Sequence, residues 1–204
     1  MDGRKLIRVL VPLLLLGVAT AYAQTNPTVR IRGTIEKVDD NVLTVKSRDG
    51  DTLIVHLTPD YTVGTVVKAS LSDIKQGSFV GTSAIPQPDG TLKALEVHIF
   101  PEAQRGTGEG FRPWDLQPGS TMTNATVTSS VNSVDGHTLT LTYKGGEKKV
   151  IIPPNIPIVM NAPADKSDVQ AGVPISVSNA QKLPDGTLQA SRITVGKNGV
   201  APPS

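Results

Sequence analysis

The residues best equipped to hold a metal are His56, His98 and His137, in a chain without cysteine. Imidazole nitrogens ligate zinc and copper. His56 and His98 both fall on strand faces opposite the apolar positions of the first half of the chain, so they form the candidate metal pair. His137 falls in a turn of the second half, and Ile152 and Thr194 stand where His56 and His98 would recur. The pair therefore occurs once. Absence of cysteine excludes a disulfide framework, a thiolate zinc site and a cysteine nucleophile.

The other chemistry-bearing patterns are incomplete. Gly106-Thr107-Gly108-Glu109-Gly110 has the look of a phosphate loop, but the third glycine is misplaced and Pro113 prevents the helix such a loop must open. Asp49-Gly50-Asp51 lacks the closing bidentate glutamate of a calcium loop and reads as a hairpin turn. Gly81-Thr82-Ser83-Ala84-Ile85 lacks the second glycine of a nucleophile elbow and leads into no helix. Asn124-Ala125-Thr126 meets a glycosylation consensus that is common by chance. No catalytic residue and no cofactor-binding residue is identified. The expectation is a non-enzymatic protein without a cofactor, with an unrecognised carboxylate enzyme as the weakest alternative.

Phe111-Arg112-Pro113-Trp114-Asp115 holds the single tryptophan, in a stretch otherwise rich in glycine and proline. Tryptophan and arginine are over-represented at binding hot spots, which makes Phe111, Arg112 and Trp114 candidate partner contacts. A large aromatic is usually buried for packing first. The favoured reading is that Trp114 tucks against one domain and fixes the orientation of the two.

The elements that position these residues are strands. Leu43-Thr44-Val45 and Leu53-Ile54-Val55-His56-Leu57 alternate with period two, and Leu95, Val97 and Ile99 are placed on one face with Glu96 and His98 on the other. Asp39-Asp40-Asn41, Asp49-Gly50, Asp135-Gly136 and Gly145-Gly146 mark tight turns. In Leu71-Ser72-Asp73-Ile74-Lys75-Gln76-Gly77, Ser72 or Asp73 can cap a single helical turn that Gly77 ends in the left-handed conformation.

The halves repeat. Val38-Asp39 and Leu43-Thr44-Val45 recur as Val134-Asp135 and Leu139-Thr140-Leu141 at an offset of 96 residues. Ser72-Asp73-Ile74 recurs as Ser167-Asp168-Val169 at 95, and Pro88-Asp89-Gly90-Thr91-Leu92 as Pro184-Asp185-Gly186-Thr187-Leu188 at 96 again. Two copies are too few for a solenoid. Three strands, a short helical turn and two strands is the order of a five-stranded Greek-key barrel of OB type, with a small open β-sandwich as the runner-up. The expectation is all-β: two tandem five-stranded OB-like barrels, each with one short helical turn. The domains are read as residues 27–101 and 125–196, joined by a Gly/Pro linker at 102–124 and followed by a tail at 197–204.

Residues 1–23 read as a signal peptide. Arg4, Lys5 and Arg8 precede an apolar run from Val9 to Val18, and Ala21-Tyr22-Ala23 before Gln24 is a small-residue cleavage site. A retained anchor is the alternative, but polar Gln24, Thr25 and Asn26 arrive before the roughly 20 apolar residues that a span needs. Removing the segment takes three basic residues and one acidic one, so the formal charge drops from +2 to zero. With aromatics at 3%, a neutral chain lacks the basic groove and stacking platforms of a nucleic-acid binder. A periplasmic or secreted location and no membrane span after cleavage are expected.

Val-Asp between two strands, the Ser-Asp-Ile/Val-x-x-Gly turn and Asp-Gly-Thr-Leu before a last strand together resemble the bacterial extracytoplasmic OB-like domains classed as a domain of unknown function. The resemblance covers most of Val29–Phe100 and Thr126–Val195. It implies the barrel fold and supplies no catalytic residue or ligand. Some members are similar to proteins labelled as components of metal transport. The functional expectation is a binding or protein-interaction module whose partner is an envelope protein, a glycan or a small ligand. The alternative is a metal-handling accessory protein using His56 and His98.

Overall fold

The computed structural model describes residues 27–133 and 136–202. The cleavage-site residues Ala21, Ala23 and Gln24 and the Val134-Asp135 pair lie outside the described residues. The first half forms β1 (Thr28–Asp39), β2 (Val42–Ser47), β3 (Thr52–Lys68), β4 (Phe79–Pro86) and β5 (Leu92–Ile99). There follow β6 (Gly110–Pro113), β7 (Thr121–Ser133), β8 (Gly136–Tyr143), β9 (Gly146–Ile152), β10 (Ile158–Pro163), β11 (Pro174–Lys182) and β12 (Leu188–Val195). Single 3-10 turns at Leu71–Asp73, Glu102–Gln104 and Lys166–Asp168 are the helical elements among the described residues. The fold is all-β, and no helix among these residues is long and apolar enough to cross a membrane.

Pairing does not follow the sequence halves. β1, β2 and β3 form an antiparallel meander, then β11 pairs β1 and β12 runs parallel to β3, which closes a five-stranded barrel. The further strands mirror this arrangement. β7, β8 and β9 form the meander, β4 pairs β7, and β5 meets β9 in parallel at Leu92↔Val150 and Lys93↔Ile151. Each ring thus takes three strands from one half and two from the other. The apolar interiors agree. One joins Ile35, Leu43 and Val55 to Ile175, Ala190 and Ile193. The other joins Leu139, Leu141 and Val150 to Val80, Leu92 and Val97.

The division into self-contained domains at 27–101 and 125–196 is therefore corrected: neither stretch buries a core of its own. The physical reason lies in β3. Its 17 residues run on past ring one, so the chain reaches Leu71 beside ring two. Pro59 sits where β12 pairs Ala190↔Leu57 and then Arg192↔Thr62, an outward loop in β3 that needs no ladder N–H from the proline. In the second half Pro153, Pro154 and Pro157 split the corresponding run into β9 and β10. The two crossing segments then pair with each other, antiparallel, from Val159↔Lys68 to Pro163↔Gly64. With the 95-residue offset, Val66 pairs its own counterpart Asn161, the self-complementary register of a two-fold contact.

The short turns seal the rings. Ser70 is the cap of the first, its N–H donating to the Asp73 carboxylate at 2.7 Å, and Asp165 plays that part for the second, donating to Asp168 at 3.1 Å. The cap residue is thus Ser70, two residues before Ser72 and three before Asp73, and Asp73 reaches back to it. Ile74 and Val169, each just after a turn, are buried in the core of the ring that its turn covers. Gly77 and Gly172 follow with φ of 88° and 85°, the left-handed conformation that lets their N–H groups reach Val127 and Ile35 carbonyls.

Two further expectations are revised. Opposite β4 the register jumps from Ser83↔Glu96 to Ala84↔Ala94, which makes Leu95 a bulge residue; Ala94 takes the core face and Leu95 is only half-buried. The 102–124 segment is not a bare linker, since it carries a 3-10 turn, β6 paired to β7, and the first residues of β7 itself.

Because each ring is completed by strands from the other half, cutting the connection after Gly106 should leave two fragments bound to each other. An inserted protease site, cleaved in the native protein, should give one gel-filtration peak near the intact mass and unchanged near-ultraviolet dichroism. Two separate folded peaks would disprove the exchanged pairing.

Candidate functional site

Trp114 is held from both sides in sequence and in space. Its N–H donates to the Ser120 carbonyl at 2.8 Å and its own carbonyl accepts from Ser120 Oγ at 3.1 Å, so residues 114–120 form a closed loop. Arg30 of β1 lies over the indole at 3.9 Å from the ring centroid, with Arg112 at 5.3 Å and Arg32 at 5.8 Å. Asp115 accepts from Arg30 at 2.8 Å and Arg32 at 2.7 Å. A half-exposed ion pair is worth at most about 1 kcal/mol, comparable with one cation–π contact at about 0.5–1 kcal/mol. The docking of this segment, which leads into β7 of ring two, onto β1 of ring one therefore rests on several modest contacts made together. Phe111 is more exposed, at 38%, and its ring carries Lys148 Nζ at 4.4 Å.

The site sits beside Trp114. A cleft of about 1010 Å³ lies between the outer faces of the two rings. β5 contributes Glu96 and His98, β12 contributes Arg192 and Thr194, and the 101–114 segment forms one rim. Glu96 and Arg192 are counterparts at the 96-residue offset, as are His98 and Thr194. The cleft thus lies on the two-fold relation of the rings, and its two walls differ in chemistry.

Its floor is amide-rich. Asn124 of β7 is only 6% exposed; its Nδ2 donates to the Thr107 carbonyl at 2.9 Å and its Oδ1 has no partner. Gly81 lies opposite Asn124 in the β4–β7 register, and a Cβ there would come within 2.8 Å of that oxygen. Gly108, with φ of 56°, packs against Asn124 and Arg112, and its carbonyl accepts from Arg112 Nη1 at 2.7 Å. Asn161 of β10 shares a 2.6 Å hydrogen bond with His98 Nε2 and donates to Gln104 Oε1 at 2.7 Å. His98 also stacks on Phe100, with centroids 4.4 Å apart. A second cavity, about 850 Å³ and mostly apolar, is lined by Pro153, Pro154, Pro157 and tail residues Val200 to Pro202.

The electrostatics follow from these contacts. Burial pushes the His98 imidazole below its ordinary value, against the smaller opposite effect of the Asn161 hydrogen bond. Burial, and then the neighbouring Arg30 charge, lower Arg112. Burial alone would raise Asp115, but the hydrogen bonds from Arg32 and Arg30 outweigh it and hold the carboxyl below the usual range.

The structure does not bring the two candidate metal ligands together. His56 lies in ring one, paired with Val42 and Gln189, whereas His98 lies in ring two with its Nε2 engaged by Asn161. Among the described residues no group of three His, Cys, Asp or Glu could hold a metal. Asn124, singled out in the sequence only for its glycosylation pattern, is a buried carboxamide of the cleft floor. Arg30, Asn161 and Arg192 carried no sequence signal, because pairing across the halves is what gathers them. Comparison with protein families, curated proteins and solved structures finds no match.

Two pH responses follow. Asp115 is lowered in the folded state, so its contribution is present above the ordinary carboxyl value of about 3.9 and is lost as pH falls further. Trp114 emission should sit blue of free tryptophan at neutral pH and move red in that acid window, while Asp115→Asn should abolish the pH step. Emission at the free position at neutral pH would refute the docking. His98 is also lowered, so the unfolded chain takes up its proton first and stability falls as pH drops below about 6.5. His98→Asn should lessen the fall in melting temperature as pH drops below about 6.5, relative to wild type. An equal slope in both proteins would place the titration elsewhere.

Proposed function

We propose that this chain is an extracytoplasmic, non-enzymatic binding protein that takes its ligand in the cleft between the two rings. On this reading residues 1–23 direct secretion and are removed, and the rings are OB-like units descended from one duplicated ancestor whose halves have exchanged strands. The observation that carries the reading is the cleft itself: about 1010 Å³, with aromatic and guanidinium groups at its rim. Ligand sites are typically concave, of about 300–1,000 Å³, with a few convergent polar groups. Exchange of strands gives both walls a common anchor, so the cleft is largely formed before a ligand arrives.

Thermal-shift screening of the mature chain against sugars, amino acids and short peptides tests this. A ligand at a hundred times its Kd adds about 2.7 kcal/mol, on the order of 5 °C for a chain of this size. Ser178→Trp, on an exposed position lining the cleft, should abolish the shift without lowering the starting melting temperature. A shift of equal size in the Ser178→Trp protein, or no stabilising compound in any class, would refute a cleft ligand.

A further inference from the structure

The second cavity, about 850 Å³, opens where the two rings are built differently. Between β9 and β10 the chain runs Pro153-Pro154-Asn155-Ile156-Pro157, and its three prolines have no N–H to give to a neighbouring strand. β5 accordingly meets β9 at Leu92 and Lys93 and β10 at Val97 to Ile99. Ala94 to Glu96 have no ladder partner on that side among the described residues. The cavity lies at this gap, with Glu96 in its lining.

Ring one shows what fills the same place. At the 95-residue offset Tyr61 is the counterpart of Ile156, Lys166 of Leu71 and Pro59 of Pro154. Tyr61 is buried in the core of ring one, and Lys166 Nζ lies 4.1 Å from its ring centroid. The same ammonium donates to the Pro59 carbonyl at 3.3 Å, so the three residues form a stopper. Ile156 and Leu71 can make neither that stack nor that hydrogen bond, and both stay half-buried in the cavity lining. The wall is aliphatic: Ile152, Ile156, Ile158 and Leu71 line it and also join the core of ring two. Water finds few partners on such a wall, and an apolar chain gains by displacing it.

The rim has the opposite character. Lys68, at the end of β3, is exposed and makes no ion pair among the described residues. Arg48, also exposed, adds a second cation, and Glu96 is the one carboxylate among the described lining residues. Two cations against one carboxylate leave a single positive charge, which matches a monovalent carboxylate better than a phosphate dianion.

We propose that this cavity binds a straight-chain aliphatic carboxylic acid, its chain along Ile152, Ile156, Ile158 and Leu71 and its carboxylate beside Lys68 and Arg48. The proposal does not rest on the cleft reading, although Glu96 and Pro202 belong to both linings.

The test titrates the mature chain by calorimetry with octanoic, decanoic and dodecanoic acids, below their micelle concentrations. Decanol and decylamine are the comparisons. Each added methylene should tighten the acid complex about fourfold until the cavity is full. Decanol should bind roughly fivefold more weakly than decanoic acid, and decylamine more weakly still. Ile156→Tyr combined with Leu71→Lys, which transplants the stopper of ring one, should abolish binding without lowering the melting temperature. Should that double variant fail to fold, Ala201→Trp, at an exposed position of the lining, should still block the acids. Lys68→Gln should remove most of the acid's advantage over the alcohol, while Lys68→Arg retains it. Undiminished acid binding in the occluded protein, or affinity independent of chain length, overturns the site. Decanol or decylamine binding as tightly as decanoic acid overturns the carboxylate and with it the ligand class. Binding by none of the acids overturns the proposal, and the Ser178→Trp comparison decides the cleft reading independently of every one of these outcomes.

Discussion

Three antiparallel strands cannot close a barrel, and the edges they leave open set the rest of this structure. β1 and β3 would each present a row of unpaired backbone groups, which is costly when buried and hazardous when exposed. β11 and β12 cover those edges in ring one, and β4 and β5 do the same for the meander of ring two. A local closure would require the chain to turn back at the end of β3. Instead β3 continues for 17 residues, roughly 55 Å at about 3.3 Å per residue, and delivers the next two strands to the other ring. The β3–β10 pairing is the seam that this crossing creates, and it ties both crossings to each other. Most stabilising pairings are then remote in sequence, which makes folding slower than in a chain of two local barrels.

The same crossing produces the cleft. Two barrels on a flexible tether would present their outer faces independently, and any site between them would be assembled only upon binding. Here the walls share backbone: β10 is bonded to β3 and to β5, so the outer face carrying His98 and that carrying Arg192 are joined through one continuous sheet. The 101–120 segment adds a second tie, from β7 across to Arg30 and Arg32. Pre-set walls reduce the ordering cost that a ligand would otherwise meet. Asn124 Oδ1 is out of reach of solvent and lies against Gly81, its partner in the β4–β7 register, so the carboxamide braces the floor from within.

Strand identity was readable in the sequence because burial in a barrel is local. Leu43 and Val45 alternate inward as their period demands, and the turn ending at Gly77 sits between three strands and two as its capping chemistry implies. Partner choice was not readable, for a reason internal to the repeat. Leu92 and Leu188, or Val97 and Ile193, present the same kind of side chain at matched positions, so either pair of final strands fits either meander. Similarity between halves announces two equivalent units and erases the information about which strands join which. Bulges were hidden too: Leu95 keeps an apolar type while the register puts Ala94 inward. His56 and His98 stand in different rings for the same cause, since their proximity was inferred within a half that does not fold as a unit. The packing of Trp114 was legible, because a lone indole amid glycine and proline has few reasons to be there beyond contact.

Matched positions of the two halves differ unevenly on the two sides of the strands. Inward positions stay apolar at every matched pair just named, while outward positions at the cleft have changed type: Glu96 against Arg192, His98 against Thr194, Gly81 against Ser176. A scaffold kept only for stability has no need of such a difference, since a symmetric lining would pack as well. The 101–120 excursion, which carries Arg112 and Trp114, lies outside the matched positions of the halves. It lies against one side of the cleft alone and brings the surplus guanidinium with it. A site on a two-fold axis is bound to treat both ends of a ligand alike. Breaking the symmetry at the lining, with the barrels left equivalent beneath, gives the cleft a cationic end and a neutral floor, and so a direction in which an asymmetric ligand must enter.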